Sequence, residues 1–353
     1  MTIALVILHA DRARGGAEQY TVDLAAALAT RGHEVSILAA DSAAPVPGAK
    51  FVQLANDAIT RRGRYRRFLD SLDEHLITRR YDIVHAMLPV RQCDVYHPHA
   101  GLAAETMEKW HSHFDPRRRL FARVERGLLS SDHPPVVLCL SEYVKQTIRR
   151  HYQLPDDRLA TLFNAVDLSR FDPGEPPRHG DRVIALMVAQ DFERKGLKQA
   201  IAAIIALGDP KLELCVVGKD DPAPYRGLSP QVKFVGPVLD PVPYYRAADF
   251  FLLPTRHDPG SLATLEALAM GLPVISTRFN GACEIMQDGV HGVILSDPND
   301  VPAIVTAIRR VRAGSMRQAC LDLRPRLSFD SHLDTLLAIY DSCRSLSQKS
   351  TAR

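Results

Sequence analysis

Two doubly wound α/β domains, each a Rossmann-like parallel sheet, are predicted by three features of the sequence. Short apolar runs alternate with helix-length amphipathic segments along nearly the whole chain. A break rich in Pro, Gly and charge interrupts that alternation near the middle. The 353 residues also exceed the roughly 250–300 that a single core usually fills. Open sheets of this kind bind ligands beyond the carboxyl ends of their strands, so two such edges facing each other would form a cleft.

The first strand is Ile3–Leu8, followed by the loop Asp11-Arg12-Ala13-Arg14-Gly15-Gly16. The next helix, Glu18–Thr30, carries apolar Val22, Leu24, Ala25 and Leu28 and ends at Arg31-Gly32-His33. Strands are predicted at Val35–Leu38, Ile83–His85, Val136–Leu140 and Thr161–Asn164. The run Asp172 to Gly180 reads as a linker, after which the alternation restarts. Strands at Val183–Val188, Leu212–Val217, Val232–Val235, Phe250–Leu253 and Val274–Thr277 enclose helices at Leu197–Leu207 and Ser261–Met270. Helices at Val301–Val311 and about Ser331–Ser345 close the chain. The predicted domains are residues 1–172 and 181–330, joined by a linker at 173–180, with a terminal helical segment at 331–353.

Composition excludes several classes. A hydrophobic content of 46% and a charged content of 24% are those of an ordinary globular protein, and a net charge of +3 does not call for nucleic acid. The six cysteines are scattered without Cys-x-x-Cys spacing, so they read as reduced, packed side chains in a cytoplasmic protein. The run Ile3–Leu8 is too short and lacks the basic flank of a signal peptide. No stretch approaches the roughly 20 apolar residues of a membrane span. A soluble protein, or one resting on a membrane surface, is expected.

The chemistry concentrates in two loops of the second domain. After the strand Phe250–Leu253 comes a Pro- and Gly-containing loop and then a helix starting near Ser261, so the amides of Gly260, Ser261 and Leu262 would sit at its positive end, ready for a phosphate. Asp258 precedes that helix and Glu266 lies inside it; both can accept hydrogen bonds from sugar or ribose hydroxyls. A purely structural alternative makes Asp258 a turn residue and Glu266 a solvated helix position. The apolar neighbours Leu265, Ala267, Leu268 and Ala269 weaken it, since a carboxylate is rarely placed among core residues without partners. The second loop, Gln190-Asp191-Phe192-Glu193-Arg194-Lys195-Gly196, follows the strand Val183–Val188 and offers two adjacent cations; a solvated basic turn is the alternative. In the first domain, Gly15 and Gly16 precede a helix and permit close backbone approach of a ligand, although the dinucleotide fingerprint is absent. His97 and His99 have no third ligand within sequence reach, so a metal site is not expected there.

These residues resemble the donor-site signature of the family-4 retaining glycosyltransferases, which have the GT-B fold. The family pattern is an acidic residue, seven others, then Glu, followed by a small-residue helix end at Gly-x-Pro-Val; Asp258, Glu266 and Gly271-Leu272-Pro273-Val274 match it, with Asp in place of the usual Glu at the first position. The resemblance implies that Glu266 holds the nucleotide ribose and Asp258 the transferred sugar. The Asp-Phe-x-Arg-Lys-Gly arrangement is similar to the lipopolysaccharide core glucosyltransferases and makes Arg194 and Lys195 the diphosphate ligands; the Gly-Arg pair of other relatives is replaced by Ala189-Gln190. Gly15-Gly16-Ala17-Glu18 matches the family's cleft glycines, and Asp94-Val95-Tyr96 leads to His99, which the family places near the reacting carbon. Those glucosyltransferases carry an acidic residue where this chain has Ala100. Asn164-Ala165-Val166-Asp167 resembles the segment leading into the interdomain linker, and the terminal helix would cross back to the acceptor-side N-terminal domain.

The resemblance implies transfer of a hexose, glucose from UDP-glucose, to a hydroxyl of a lipopolysaccharide core or related envelope glycan. A sugar-nucleotide-binding protein without transferase activity, or an epimerase on the same fold, remains open. No Asp-x-Asp triplet is present, so neither a metal nor another cofactor is expected. The arginine-rich stretches 61–67 and 117–126 read either as solvated helical faces or as contacts with an anionic membrane or phosphorylated saccharide, each cation near a charged membrane contributing about 1 kcal/mol.

Overall fold

A computed structural model describes residues 1–99, 101–108, 113–175 and 180–351. Ala100 and residues 176–179 of the expected linker lie outside the described residues. The chain forms two compact units, residues 1–163 with 332–353, and residues 164–331.

The first unit runs β1 (Thr2–Val6), β2 (His9–Ala10), α1 (Gly16–Thr30), β3 (Glu34–Ala39), β4 (Asp41–Ser42), β5 (Ala49–Gln53), α2 (Arg61–Thr78), β6 (Ile83–Ala86) and β7 (Val95–Tyr96). It continues through α3 (Ala103–Thr106), α4 (Pro116–Leu129), β8 (Val136–Cys139), α5 (Glu142–His151) and β9 (Leu159–Thr161). Seven strands form a sheet in the order β5-β3-β1-β6-β7-β8-β9, and its neighbours are parallel, Ile3 pairing with Val35 on one side and Ile83 on the other. The central strand is buried on both faces, which is why it reads as a continuous apolar run rather than an alternation.

The second unit contains β10 (Val183–Val188), α6 (Leu197–Leu207), β11 (Leu212–Val217), β12 (Val232–Gly236), α7 (Val242–Ala247), β13 (Phe250–Leu253), α8 (Leu262–Ala269) and β14 (Val274–Thr277). It ends with β15 (Gly292–Leu295), α9 (Val301–Ala313), α10 (Arg317–Asp322) and α11 (Arg324–Leu327). Its six strands, ordered β12-β11-β10-β13-β14-β15, are all parallel. The order reverses between β10 and β13, so the loops after these two strands flank the topological switch point, where such sheets bind ligands.

The final helix, α12 (Phe329–Thr351), places Leu333, Leu336, Tyr340 and Cys343 in the core of the first unit, a stripe with the three- and four-residue spacing of one helix face. The Tyr340 hydroxyl lies 2.7 Å from His85 Nδ1. Among the described residues no helix is long and apolar enough to cross a membrane.

One boundary differs from the sequence reading. The first domain was expected to reach residue 172, yet the division falls between Phe163 and Asn164. The Val166 amide donates to the Leu327 carbonyl at 2.8 Å and Phe171 is 1% exposed in the second unit's core, so this segment is held by the second sheet's helices rather than acting as a free tether. The strand expected at Thr161–Asn164 correspondingly ends at Thr161.

Candidate functional site

The loop after β10 places Arg194 and Lys195 at the switch point. Within it, Asp191 Oδ1 accepts from the Arg194 amide at 3.0 Å and Asp191 Oδ2 from Arg194 Nε at 3.0 Å. Burial raises the Asp191 pKa, but the bonds and charge of Arg194 outweigh it, so the carboxylate stays below its ordinary range. Arg194 Nη1 also donates to the His257 carbonyl at 2.7 Å, tying this loop to the one after β13. Gly196 ends the loop with φ +79°, and a Cβ there would lie 2.1 Å from the Pro254 carbonyl oxygen. Only glycine lets the two loops approach this closely.

On the neighbouring loop Asp258 is buried and forms an ion pair with Lys195 Nζ, the two side chains being 9% and 12% exposed. Its backbone is fixed on both sides: the Asp258 amide donates to the Phe279 carbonyl and its carbonyl accepts from Gly281, each at 2.9 Å. Ser261 is the N-cap of α8, its hydroxyl accepting from the Thr264 amide at 3.3 Å. Of the three amides expected at this helix end, that of Ser261 is already engaged, donating to Asn280 Oδ1 at 3.4 Å. Those of Gly260 and Leu262 have no hydrogen-bond partner among the described residues.

Glu266 is 5% exposed, so it is not a solvated helix position. The Tyr245 hydroxyl donates to Glu266 Oε2 at 2.8 Å. Burial, and then the Glu266 carboxylate, holds the Tyr245 phenol well above its ordinary pKa, so it remains a donor. The structure therefore brings Arg194, Lys195, Asp258, Gly260, Ser261, Leu262 and Glu266 into one region of the second unit.

Three residues of this region escaped the sequence reading. Asn280, 1% exposed, donates to Thr264 Oγ1 (2.9 Å) and Ser276 Oγ (3.1 Å), and its Oδ1 accepts from the Ala282 amide (3.1 Å) as well as from Ser261. It thereby joins the end of β14 to the start of α8. Tyr245 supports Glu266 from α7. Asn164, read as a fold marker, donates from Nδ2 to the Gly260 carbonyl at 3.3 Å. Polar residues after a strand and inside apolar runs were the only available signals, and their partners are far away in sequence.

Gly15, Gly16 and His99 belong to the first unit. Gly15 is the N-cap of α1 and Gly16 its first residue; a Cβ on Gly15 would lie 3.0 Å from Glu18 Oε2. His99 follows β7, its ring centroid 4.5 Å from that of Tyr20 and 4.0 Å from that of His97. Burial, with a further push from His332, lowers its pKa to about 3, so the ring is neutral near pH 7; its Nε2 has no hydrogen-bond partner among the described residues. His97 is fully buried and neither of its ring nitrogens has a partner among the described residues. Beneath this loop, buried Glu125 accepts from the Tyr96 hydroxyl and from the amides of Ala103 and Ala104 at 2.8–2.9 Å, pinning the chain on either side of His99.

Two Rossmann-like units, with adjacent cations, a carboxylate and a helix N-terminus at the switch point of the second, define a GT-B-type protein. Residues 14–170 match the family model described as Glycosyltransferase Family 4, and residues 182–313 match that described as Glycosyl transferases group 1. The chain belongs to the family-4 glycosyltransferases. The lipopolysaccharide glucosyltransferase WaaG of Escherichia coli is 24% identical over 80% of this chain and 82% of its own. A crystal structure of a WaaG superposes with a TM-score of 0.80 at 20% identity, covering 98% of this chain and 99% of that one. The structure of Anabaena HepE in complex with UDP and glucose gives a TM-score of 0.72 at 16% identity over 97% and 100% of the two chains. A probable transglycosylase of Burkholderia thailandensis is 31% identical over 51% of this chain, which spans about half of that relative's length (52%).

Proposed function

We propose that the protein is a retaining, metal-independent hexosyltransferase that moves glucose from UDP-glucose to a hydroxyl of a lipopolysaccharide core or related envelope glycan. The observation that carries this reading is the meeting of Arg194, Lys195 and Asp258 on adjacent loops at the switch point, beside the start of α8. The bond between the anomeric carbon and the diphosphate breaks as the bond to the acceptor oxygen forms, and negative charge collects on the departing UDP. Lys195, Arg194 and the amides of Gly260 and Leu262 offset that charge in a largely dry site, which is where such interactions matter most. The acceptor proton ends on the leaving diphosphate.

Without donor, Lys195 and Asp258 neutralise each other. A diphosphate that takes Lys195 frees Asp258 to accept a hydrogen bond from a sugar hydroxyl, so the same ion pair couples phosphate arrival to sugar recognition. Glu266, held by Tyr245, faces the ribose hydroxyls. His99, neutral near pH 7, is suited to act as an uncharged hydrogen-bonding group and not as a charged one. The glucose and UDP assignments draw on the names of WaaG and HepE. The donor pool, and six cysteines that are all free thiols, suit action on the cytoplasmic side of the inner membrane.

The test is incubation of purified protein with UDP-glucose and a truncated core acceptor in the presence of a chelator, with the new linkage read by NMR. An α-glucoside formed at an undiminished rate is expected. Donor bound but left unconsumed would replace the reading with the binding-protein alternative, and release of an isomerised sugar without an acceptor would replace it with the epimerase alternative.

A further inference from the structure

The first unit carries a second concave site, remote in sequence from the donor loops. A surface pocket of about 180 Å³ is lined by Arg62, Pro116, Arg119, Leu120 and Arg123. Pro116, Arg119, Leu120 and Arg123 fall at i, i+3, i+4 and i+7 of α4 and so share one helix face. Arg62 comes from the first turn of α2, and Pro116 is the first residue of α4, so the positive ends of two helices border the pocket. The wall is rigid where the helices meet: Tyr65 of α2, 1% exposed, stacks on Phe121 of α4 with ring centroids 4.1 Å apart. Asp115 caps α4 by accepting from the Arg117 and Arg118 amides at 2.8 and 3.2 Å.

Nearby arginines are engaged. Arg67 pairs with Asp57, Arg118 with Asp115, Arg64 Nε donates to the Ala58 carbonyl, and Arg117 lies over the Phe121 ring. The guanidinium groups of Arg62, Arg119 and Arg123 have no ion pair or hydrogen bond among the described residues, and none of the described residues lining the pocket is a carboxylate. Three guanidinium groups gathered without counter-charge repel one another, and the arrangement becomes favourable when an anion with several acceptor oxygens enters.

We infer that this pocket binds a phosphate group, held by Arg62, Arg119 and Arg123. It is a discrete recognition site on the acceptor-side unit, distinct from general attraction to a negative surface. The phosphate can be carried by a lipid headgroup or by a soluble sugar, and both present the same oxygens to the arginines. The inference does not depend on the donor assignment, since donor titration reads the second unit.

Two variants of equal charge test it: the pocket variant Arg62→Gln/Arg119→Gln/Arg123→Gln, and a control, Arg61→Gln/Arg66→Gln/Arg126→Gln, whose residues lie on the same helices outside the lining. All six side chains are exposed, so both variants should fold, with circular dichroism and melting temperature as checks. Binding is measured with glucose 1-phosphate, and by flotation with phosphatidylcholine vesicles with and without phosphatidic acid. The pocket variant should lose at least about tenfold in affinity for one or both phosphate probes while the control keeps most of it. Loss confined to the vesicles assigns a lipid phosphate, and loss confined to the soluble probe assigns a phosphorylated sugar. Equal weakening of both variants, or no binding of either probe by the wild type, would overturn the inference.

Discussion

Acidification probes how the first unit is held together. His85, His97 and His332 are buried and His99 is half-buried, in a cluster packed around Tyr20 and Tyr340. The Tyr20 hydroxyl lies 2.7 Å from His332 Nε2, and His332 Nδ1 lies 2.8 Å from the Phe163 carbonyl. Burial lowers the pKa of all four, to about 4 for His332 and about 3 for His99. These folded values lie below the ordinary 6.5, so below that pH the unfolded chain binds more protons than the folded one. Stability is full above pH 6.5 and falls as the pH drops towards the folded values, by about 1.4 kcal/mol per pH unit for each ring that stays neutral. For His332, a difference of about 2.5 units corresponds to about 3 kcal/mol lost between neutrality and pH 4. Four such rings together approach about 5 kcal/mol per pH unit below pH 6, against a total of about 5–15 kcal/mol for a domain, so the first unit should unfold near pH 5. Carboxylates such as Asp82 and Glu142, lowered by their hydrogen bonds, lose their contribution only below their ordinary values of about 4. The assay is urea unfolding at pH values from neutral to about 4.5, with imidazole carbon-bound protons followed by NMR. His332→Asn should reduce the slope by about one histidine's share, 1.4 kcal/mol per pH unit. Stability unchanged down to pH 5, or all 14 histidines titrating near their ordinary value, would refute the reasoning.

Three further outcomes concern the loops after β10 and β13. Lys195→Ala leaves the Asp258 carboxylate buried without its cation and should cost about 3–5 kcal/mol in chemical denaturation, while the double variant Lys195→Met/Asp258→Leu should recover most of that stability without recovering donor binding. Asn280→Ala strips partners from two hydroxyls and two amides; a loss of about 2–3 kcal/mol in stability is expected, together with weaker UDP-glucose binding by calorimetry. Gly196→Ala places a methyl against the Pro254 carbonyl at a positive φ, and the expected result is a lowered melting temperature with loss of donor binding.

Much of the second unit was legible because its central strands are short apolar runs bounded by charge or glycine. β10, β11, β13 and β14 fall where the pattern placed them. β7 escaped because two residues carry no pattern, and β5 because an edge strand with exposed Phe51 shows no buried face. β15 begins at Gly292, whose φ of 145° suits a close approach to Val274 and gives no strand signal. The loops after β10 and β13 were legible because helix starts, glycines and paired charges are local. Asn280, Tyr245 and Asn164 were not, because their significance lies in partners brought in by the sheet. The domain boundary was misjudged for a related reason: a Pro- and Gly-rich segment looks like a linker, yet the apolar Val166 and Phe171 just before it are packed into the second unit.

The central claim is that the loops after β10 and β13, with α8, form a nucleotide-sugar site. Its most direct test is calorimetric titration of UDP-glucose into wild-type protein and into Glu266→Ala and Lys195→Met, each first shown to be folded. One site per chain in the wild type, weakened at least about tenfold in both variants, is the predicted result. Unchanged affinity in Glu266→Ala, or no binding of any UDP-, GDP- or ADP-sugar by the wild type, would contradict it.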